Sequence, residues 1–225
     1  NGHSRRPAQR QRPDHRRRPG WCAHQAFPGG AGGARRRVRR KDHPAAGAAA
    51  ALLPAKGEEK AKGTVVFSHG NAGAVAHHLG FITWAITGGY NVLLYDYRAF
   101  GKSEGTLNRK GIVEDVRGAF AYVKTRRDVD PNRLISFGHS LGGAKSIAAL
   151  GEKPVKGVRG LISFAGFSSY KEMALRVGGK FGARLVDDDY APRDYVEKLS
   201  PIPVLFIHGV KDGVVPISQA RELFK

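Results

Sequence analysis

Ser140 stands in Gly138-His139-Ser140-Leu141-Gly142, with the apolar run Leu134 to Phe137 before it and the helix-type run Ala144 to Leu150 after it. A serine hydroxyl is a weak nucleophile until a base takes its proton and an acid orients that base. The stretch has the sequence form of a nucleophile elbow. The strand aims the chain outward, a tight turn forces Ser140 into a strained conformation, and the two glycines leave space where side chains would collide. Ser140 Oγ is then exposed, and the Leu141 N–H points back at it as a donor to a developing oxyanion. The bare five-residue pattern arises by chance in a chain with 30 glycines. The strand before it and the helix after it make it specific.

In such a framework the acid follows the serine along the chain and the base follows the acid. Asp212 suits the acid. The segment His208-Gly209-Val210-Lys211-Asp212-Gly213-Val214-Val215-Pro216 leaves the last apolar run, and Asp212 lies in a glycine-flanked turn that could reach under the site. The competing reading is an aspartate capping a helix that starts near Pro216. The base is harder to place, because no histidine follows Asp212. His3, His15, His24 and His43 lie in a basic leading segment, and His77 and His78 begin a helix. His69 and His208 end strands before glycine, where histidines more often brace loops than move protons. His139 adjoins Ser140 but points another way. The base is therefore expected from outside residues 1–225, and these residues alone are expected to be inactive or weakly active. Asp187-Asp188-Asp189 lacks the spaced second set of ligands a metal requires and reads as a solvated loop. No metal and no cofactor is expected.

The elements that would position these groups alternate. Thr64-Val65-Val66-Phe67-Ser68, Asn91 to Arg98, the strand before Ser140, Gly160 to Ala165 and Ile202 to Ile207 read as strands. Helices are expected over His77 to Thr87 and about Gly111 to Thr125, the latter with Ile112, Val116, Ala119, Phe120 and Val123 on one face. Strands alternating with helices give a mostly parallel sheet with helices on both faces and the site at the strands' carboxyl ends. Residues Gly166 to Ser200 form a longer insertion whose Met173, Leu175, Val177, Phe181 and Leu185 suggest a small cap over the site.

The net charge is +19, but residues 1–43 hold thirteen Lys/Arg against Asp14 and Asp42, so +11 of it sits on a fifth of the chain. Residues 1–51 show neither helical nor strand periodicity and are expected to be a disordered Arg/Pro/Ala/Gly-rich segment ahead of a domain over 52–225. That segment reads as a solvated tail, as a tether for nucleic acid or acidic lipid, or as a stretch read in a shifted frame. The lack of interleaved aromatics argues against base stacking, so nucleic acid is not the expected partner. No run of about 18 apolar residues is present, and the Arg/Pro-rich start is not expected to be a secretory leader. Cys22 is the sole cysteine, which excludes an intrachain disulfide and suits a reducing compartment.

From about Leu52 onward the chain resembles the serine α/β-hydrolases grouped with monoacylglycerol lipases, the serine-aminopeptidase family and palmitoyl-protein thioesterases. Four blocks carry the resemblance in order: VVFSHGNAG (65–73), NVLLYDYRAFGKSEG (91–105), RLISFGHSLGG (133–143) and PVLFIHGVKDGVVP (203–216). It implies the α/β-hydrolase fold, Ser140 as nucleophile, Asp212 as triad acid, and an oxyanion hole from the N–H groups of Leu141 and of Asn71 or Ala72. Ala99 stands where such proteins carry glycine. The two strands that normally precede the Thr64 strand, the last strand, the catalytic histidine loop and the final helix are not found in the sequence. The expected activity is hydrolysis of a small acyl ester or thioester through an acyl-enzyme. The alternative is a non-catalytic hydrolase-fold protein whose pocket or basic tail holds an anionic partner.

Overall fold

Runs dense in Val, Leu, Ile and aromatic residues form the buried middle of a six-stranded sheet. The computed structural model describes residues 49–57 and 60–225, so the basic segment 1–48 and its disorder or tether readings lie outside the described residues. The strands are β1 (Ala50–Leu53), β2 (Thr64–Ser68), β3 (Asn91–Tyr95), β4 (Leu134–His139), β5 (Val158–Phe164) and β6 (Val204–Ile207). Their order across the sheet is β1-β3-β2-β4-β5-β6, and all neighbours are parallel except β1 with β3.

Alternation along the strands assigns the two faces. Val65, Phe67, Val92 and Leu94 pack with Ile82 and Ala85 near and within α1 (Thr83–Thr87). Val66 and Leu93 point the other way, into the larger core built with α2 (Arg109–Lys124) and α3 (Leu141–Glu152). Helix α2 starts at Arg109, two residues before the expected Gly111, because Asn108 Oδ1 caps it by accepting the Gly111 N–H at 2.7 Å. It buries Ile112, Val116, Ala119, Phe120 and Val123. Two further helices, α4 (Tyr170–Leu185) and α5 (Ile217–Phe224), flank β6 in sequence.

The chain steps from β2 to β3 on one side and later to β4 on the other. This creates a switch point between β2 and β4, where the loops leaving their carboxyl ends diverge and open a crevice.

Apart from shifts of element ends by up to three residues, as where β3 stops at Tyr95 rather than Arg98, three elements differ from the sequence reading. Strand β1 is one strand ahead of the Thr64 strand that the sequence does not reveal, and it takes in Ala50 and Ala51 of the expected disordered segment. Ala-Ala-Leu-Leu has no strand alternation of its own and is held by pairing Ala50 through Leu53 with Tyr95 through Val92. The single helix expected over His77 to Thr87 is instead a 3-10 helix, Val75–Phe81, followed by α1, because Ile82 leaves helical geometry at φ −126°, ψ −8°. Helix α4 does not keep the apolar face expected of it. Gly179 takes φ 60°, ψ −159°, breaking the helix, and Val177 and Phe181 are 87% and 73% exposed.

Ala99 adopts φ 62° in the loop after β3. A side chain in the left-handed region costs roughly 1–2 kcal/mol, offset in part by the lower entropy of alanine in the unfolded chain. Ala99→Gly is accordingly expected to raise stability by about 0.5–1 kcal/mol, read as a higher denaturant midpoint with an unchanged slope.

Candidate active site

At the carboxyl end of β4 the backbone turns within one residue from strand to helix. Ser140 takes φ 51°, ψ −114°, a conformation that costs a residue with a side chain of order 1–3 kcal/mol. Its N–H is held by Phe164 O at 2.8 Å, so β5 fixes the turn from the side. Glycine makes the turn possible: a Cβ on Gly138 would overlap the backbone of Gly142 and Gly143, and one on Gly142 would overlap Ser68 O. The second approach presses the start of α3 against the end of β2. The first N–H groups of α3, which have no acceptor within the helix, therefore lie beside the loop that leaves β2. Leu141 is the first residue of α3 and is buried, whereas Ser140 is half-buried and its side chain caps no N–H.

The loop from His69 to Ala74 exposes Asn71 and Ala72. Its start is held by Tyr97 Oη, which donates to His69 O at 2.9 Å, and its end by the Val75 N–H, which donates to Asp96 Oδ1 at 2.6 Å. Arg98, the next residue along the chain, ties this run to α2. The Arg98 guanidinium forks onto Asp115 of α2, at 2.9 Å from Nη2 to Oδ1 and 3.0 Å from Nε to Oδ2, with Asp115 almost fully buried. A fork onto a buried carboxylate is costly to break from the arginine side, because it leaves Asp115 charged and unpaired.

His139 turns away from Ser140, as expected, and stacks on Phe81 with ring centroids 4.0 Å apart. Burial, reinforced by His78, draws its pKa down to about 4 against the opposing pull of the Asp212 carboxylate. His69 is drawn to about 4 as well, by burial that outweighs its bond to Gly70 O and the nearby Asp96. Both rings are neutral at pH 7.

Asp212 lies in the loop that follows β6. Its Oδ1 accepts the N–H groups of Val214 at 2.8 Å and Val215 at 3.0 Å, while Oδ2 faces His208 Nε2 at 3.8 Å. Burial pushes its pKa up, but those two N–H groups, His208 and His139 together hold it below the ordinary carboxylate value. His208 braces the same loop, with Nε2–H donating to Val215 O at 2.7 Å, the bracing role read for a histidine before glycine. Parallel pairing sets Phe164 beside His139 and Ile207 beside Phe164. The ends of β4 and β6 are thus two strand spacings apart, about 9–10 Å, a gap an imidazole can bridge.

The first turns of α4 lie against this loop. Arg176 Nη2 donates to Gly213 O at 2.9 Å, and an open groove of about 550 Å³ runs between Glu172, Met173, Leu175 and Arg176 on one side and Pro216 and Gln219 on the other. The aspartate triplet has a structural explanation. Asp187 pairs with Arg109, and Asp188 accepts the N–H groups of Tyr170 and Lys171 at the start of α4 and binds Arg193. Among the described residues, no group of three or more His, Cys, Asp or Glu side chains is placed to hold a metal ion. No helix among them is long and apolar enough to cross a membrane.

Sequence reading missed Lys145. It is fully buried on α3, its Nζ donating to Arg109 O at 3.2 Å and lying 4.6 Å from the centre of the Tyr170 ring. Burial, with help from the Arg109 charge, lowers its pKa from 10.5 to about 7. Between those two values the unfolded chain binds more protons than the folded one, so stability rises with pH from about 7 to 10.5 and is lower below that window. Lys145→Met is expected to remove most of that slope in urea titrations at pH 7, 8 and 9, without loss of stability at pH 7.

A sequence model of the family described as serine aminopeptidase, S33, matches residues 59–193, more than half of the chain. The protein YfhR of Escherichia coli K12 is 37% identical over 166 residues, covering 74% of this chain and 58% of its own length. The chain thus spans a little over half the length of the curated relatives it matches. Among solved structures, Est1E of Butyrivibrio proteoclasticus with ferulic acid bound superposes with a TM-score of 0.64 at 20% identity, covering 78% of this chain and 80% of that one. A puromycin-hydrolysing peptidase of Mycobacterium tuberculosis gives 0.65 at 23% identity, covering 84% and 32%. At these identities the structural likeness speaks for the fold.

Proposed function

The chain belongs to the serine aminopeptidase S33 family of serine α/β-hydrolases, and on that premise we propose that it hydrolyses carboxylic esters or thioesters through Ser140. The hydroxyl oxygen attacks the acyl carbonyl, and a histidine from outside these 225 residues takes the hydroxyl proton. The N–H groups of Leu141 and of Asn71 or Ala72 receive the charge of the tetrahedral oxyanion. The same histidine returns the proton to the leaving alkoxide or thiolate as the C–O or C–S bond breaks, giving an acyl-serine. Water then attacks that ester, losing its proton to the histidine, and releases the acid as the proton passes back to Ser140. Asp212 holds the histidine's tautomer and steadies its charged form.

One observation carries this reading: a half-buried serine kept at φ 51°, ψ −114° on a one-residue bend, beside helix N–H groups that have no internal acceptor. Strain of this kind has no folding benefit and is retained where geometry serves chemistry. The test is labelling of the full-length gene product with a fluorophosphonate, alongside hydrolysis of p-nitrophenyl acyl esters and an acyl thioester. The expected result is a single adduct on Ser140 and acid release. No adduct, or an adduct on another serine, would overturn the reading.

A further inference from the structure

The N–H groups that would meet an oxyanion sit on an exposed loop, yet such donors work only when held within a few tenths of an ångström of their productive position. Asn71, Ala72 and Gly73 are all exposed, so packing cannot hold them there and hydrogen bonds must. The bonds that do so have a pattern. Tyr97 takes the carbonyl of His69, His77 Nδ1 accepts the Ala74 N–H at 3.1 Å, and Asp96 accepts the Val75 N–H. Between these anchors one side chain reaches the middle of the loop: His78 Nε2 lies 2.7 Å from Ala72 O. These bonds use the carbonyls of His69 and Ala72 and the N–H groups of Ala74 and Val75, leaving the N–H groups of Asn71 and Ala72 for another acceptor.

His78 is an expensive residue for this place. A carbonyl can only accept, so Nε2 must carry a proton, and Nδ1, whether a lone pair in the neutral ring or an N–H in the charged one, needs a partner of its own. That Nδ1 is buried and has no hydrogen-bond partner. The ring is packed among His69 and His139, each with centroids 5.4 Å away, and Phe81 at 6.1 Å, surroundings that would hold a phenylalanine without an unpaired nitrogen. What a phenylalanine could not do is donate to Ala72.

We propose that His78 is a positioning residue for the hydrolysis, fixing Ala72 through its carbonyl so that the adjacent amides are aimed at the oxyanion. The proposal rests on the reading of Ser140 as nucleophile. His78 touches no substrate, since its one available donor is spent on the loop.

The experiment compares His78→Phe, which keeps the ring and loses the donor, with His78→Gln, which keeps an N–H at similar reach, in the full-length gene product. His78→Phe is expected to lower kcat on an acyl ester about 10- to 100-fold with KM changed less than about threefold, and to slow phosphonylation of Ser140 by the same factor. Hydrogen exchange in peptides spanning residues 70–75 should speed up, while exchange elsewhere in the sheet stays the same. His78→Gln should recover most of kcat and most of the protection. If His78→Phe keeps kcat within about twofold, or lowers it with loop exchange unchanged and no recovery in His78→Gln, the positioning role is wrong. A wild-type protein that never reacts at Ser140 would instead remove the hydrolase reading itself, a different outcome that the loop exchange data separate from failure of the brace.

Discussion

Ser140→Ala is expected to reduce ester hydrolysis by the full-length gene product by about 10⁴-fold, to the residual rate that binding and backbone donors alone provide. The substitution removes one oxygen and little else. Ser140 caps no N–H of α3, so its loss leaves no helix donor stranded. Alanine meets the same penalty at φ 51° as serine does, so stability should change by less than about 0.5 kcal/mol. Ser140→Gly separates the two effects further. It should be as inactive as the alanine variant yet more stable by about 1 kcal/mol, because glycine relaxes the left-handed turn. Fluorophosphonate labelling, p-nitrophenyl ester turnover and urea midpoints on the three proteins read all of this out. Residual turnover within tenfold of wild type in either variant would mean that another group is the nucleophile.

The parts of the site that were legible in the sequence are those written in short stretches. Gly138 to Gly142 specifies its bend locally, because the clash each glycine avoids is with backbone a few residues away or with the strand next door. The turn that holds Asp212 was legible for the same reason: its two loop bonds go to Val214 and Val215. The β-strands from Thr64 onward declared themselves by apolar runs bounded by glycine or proline. Strand β1 did not, since Ala50 to Leu53 carries no alternation and becomes a strand by pairing with a segment some forty residues later. His78 reads in the sequence as the start of a helix, and nothing local ties it to Ala72. Its bond forms because the 3-10 helix folds back over the loop, which one hydrophobic period cannot reveal. Lys145 lies in a helix where lysine is common, and its burial depends on Tyr170 and Tyr190 arriving from an insertion that follows β5.

These distant contacts share a direction. Asp96, Tyr97 and Arg98 leave the end of β3 in one short run and serve three different partners: the far end of the loop at Val75, its start at His69, and helix α2 at Asp115. The loop after β2 is therefore referenced to the strand beside it and, through Arg98, to α2, while the start of α3 is referenced to β2 through Gly142. The two sides of the crevice are built from elements that share one core. A site assembled this way keeps its geometry without needing regular structure in the loop itself.

Asp212→Asn isolates charge from structure, and it is expected to lower kcat on acyl esters by about 10³- to 10⁴-fold while leaving the fold intact. The argument turns on the division of labour between the two carboxylate oxygens. Oδ1 is committed to the N–H groups of Val214 and Val215, and an asparagine can keep both bonds by presenting its carbonyl oxygen there. Oδ2 carries no hydrogen bond in the loop and faces the nearby imidazole of His208 at 3.8 Å. In the asparagine variant this position becomes an NH₂ group, which donates where an acceptor is required, so an incoming histidine is offered the wrong tautomer and loses the partner that steadies its charge. Asp212→Ala should show the other half of the division: a comparable loss of activity together with about 1–2 kcal/mol of stability, since the Val214 and Val215 donors lose their acceptor. Wild-type Asp212 is held below the ordinary carboxylate pKa, so it stays ionised through the neutral range and the acid limb of the rate profile should report the histidine. An asparagine variant with wild-type kcat would place the acid elsewhere. One that lost activity in proportion to a fall in its urea midpoint would reduce Asp212 to a brace of its own loop through Val214 and Val215, since α5 begins after Pro216 with no side-chain cap and the helix-capping reading of Asp212 does not hold.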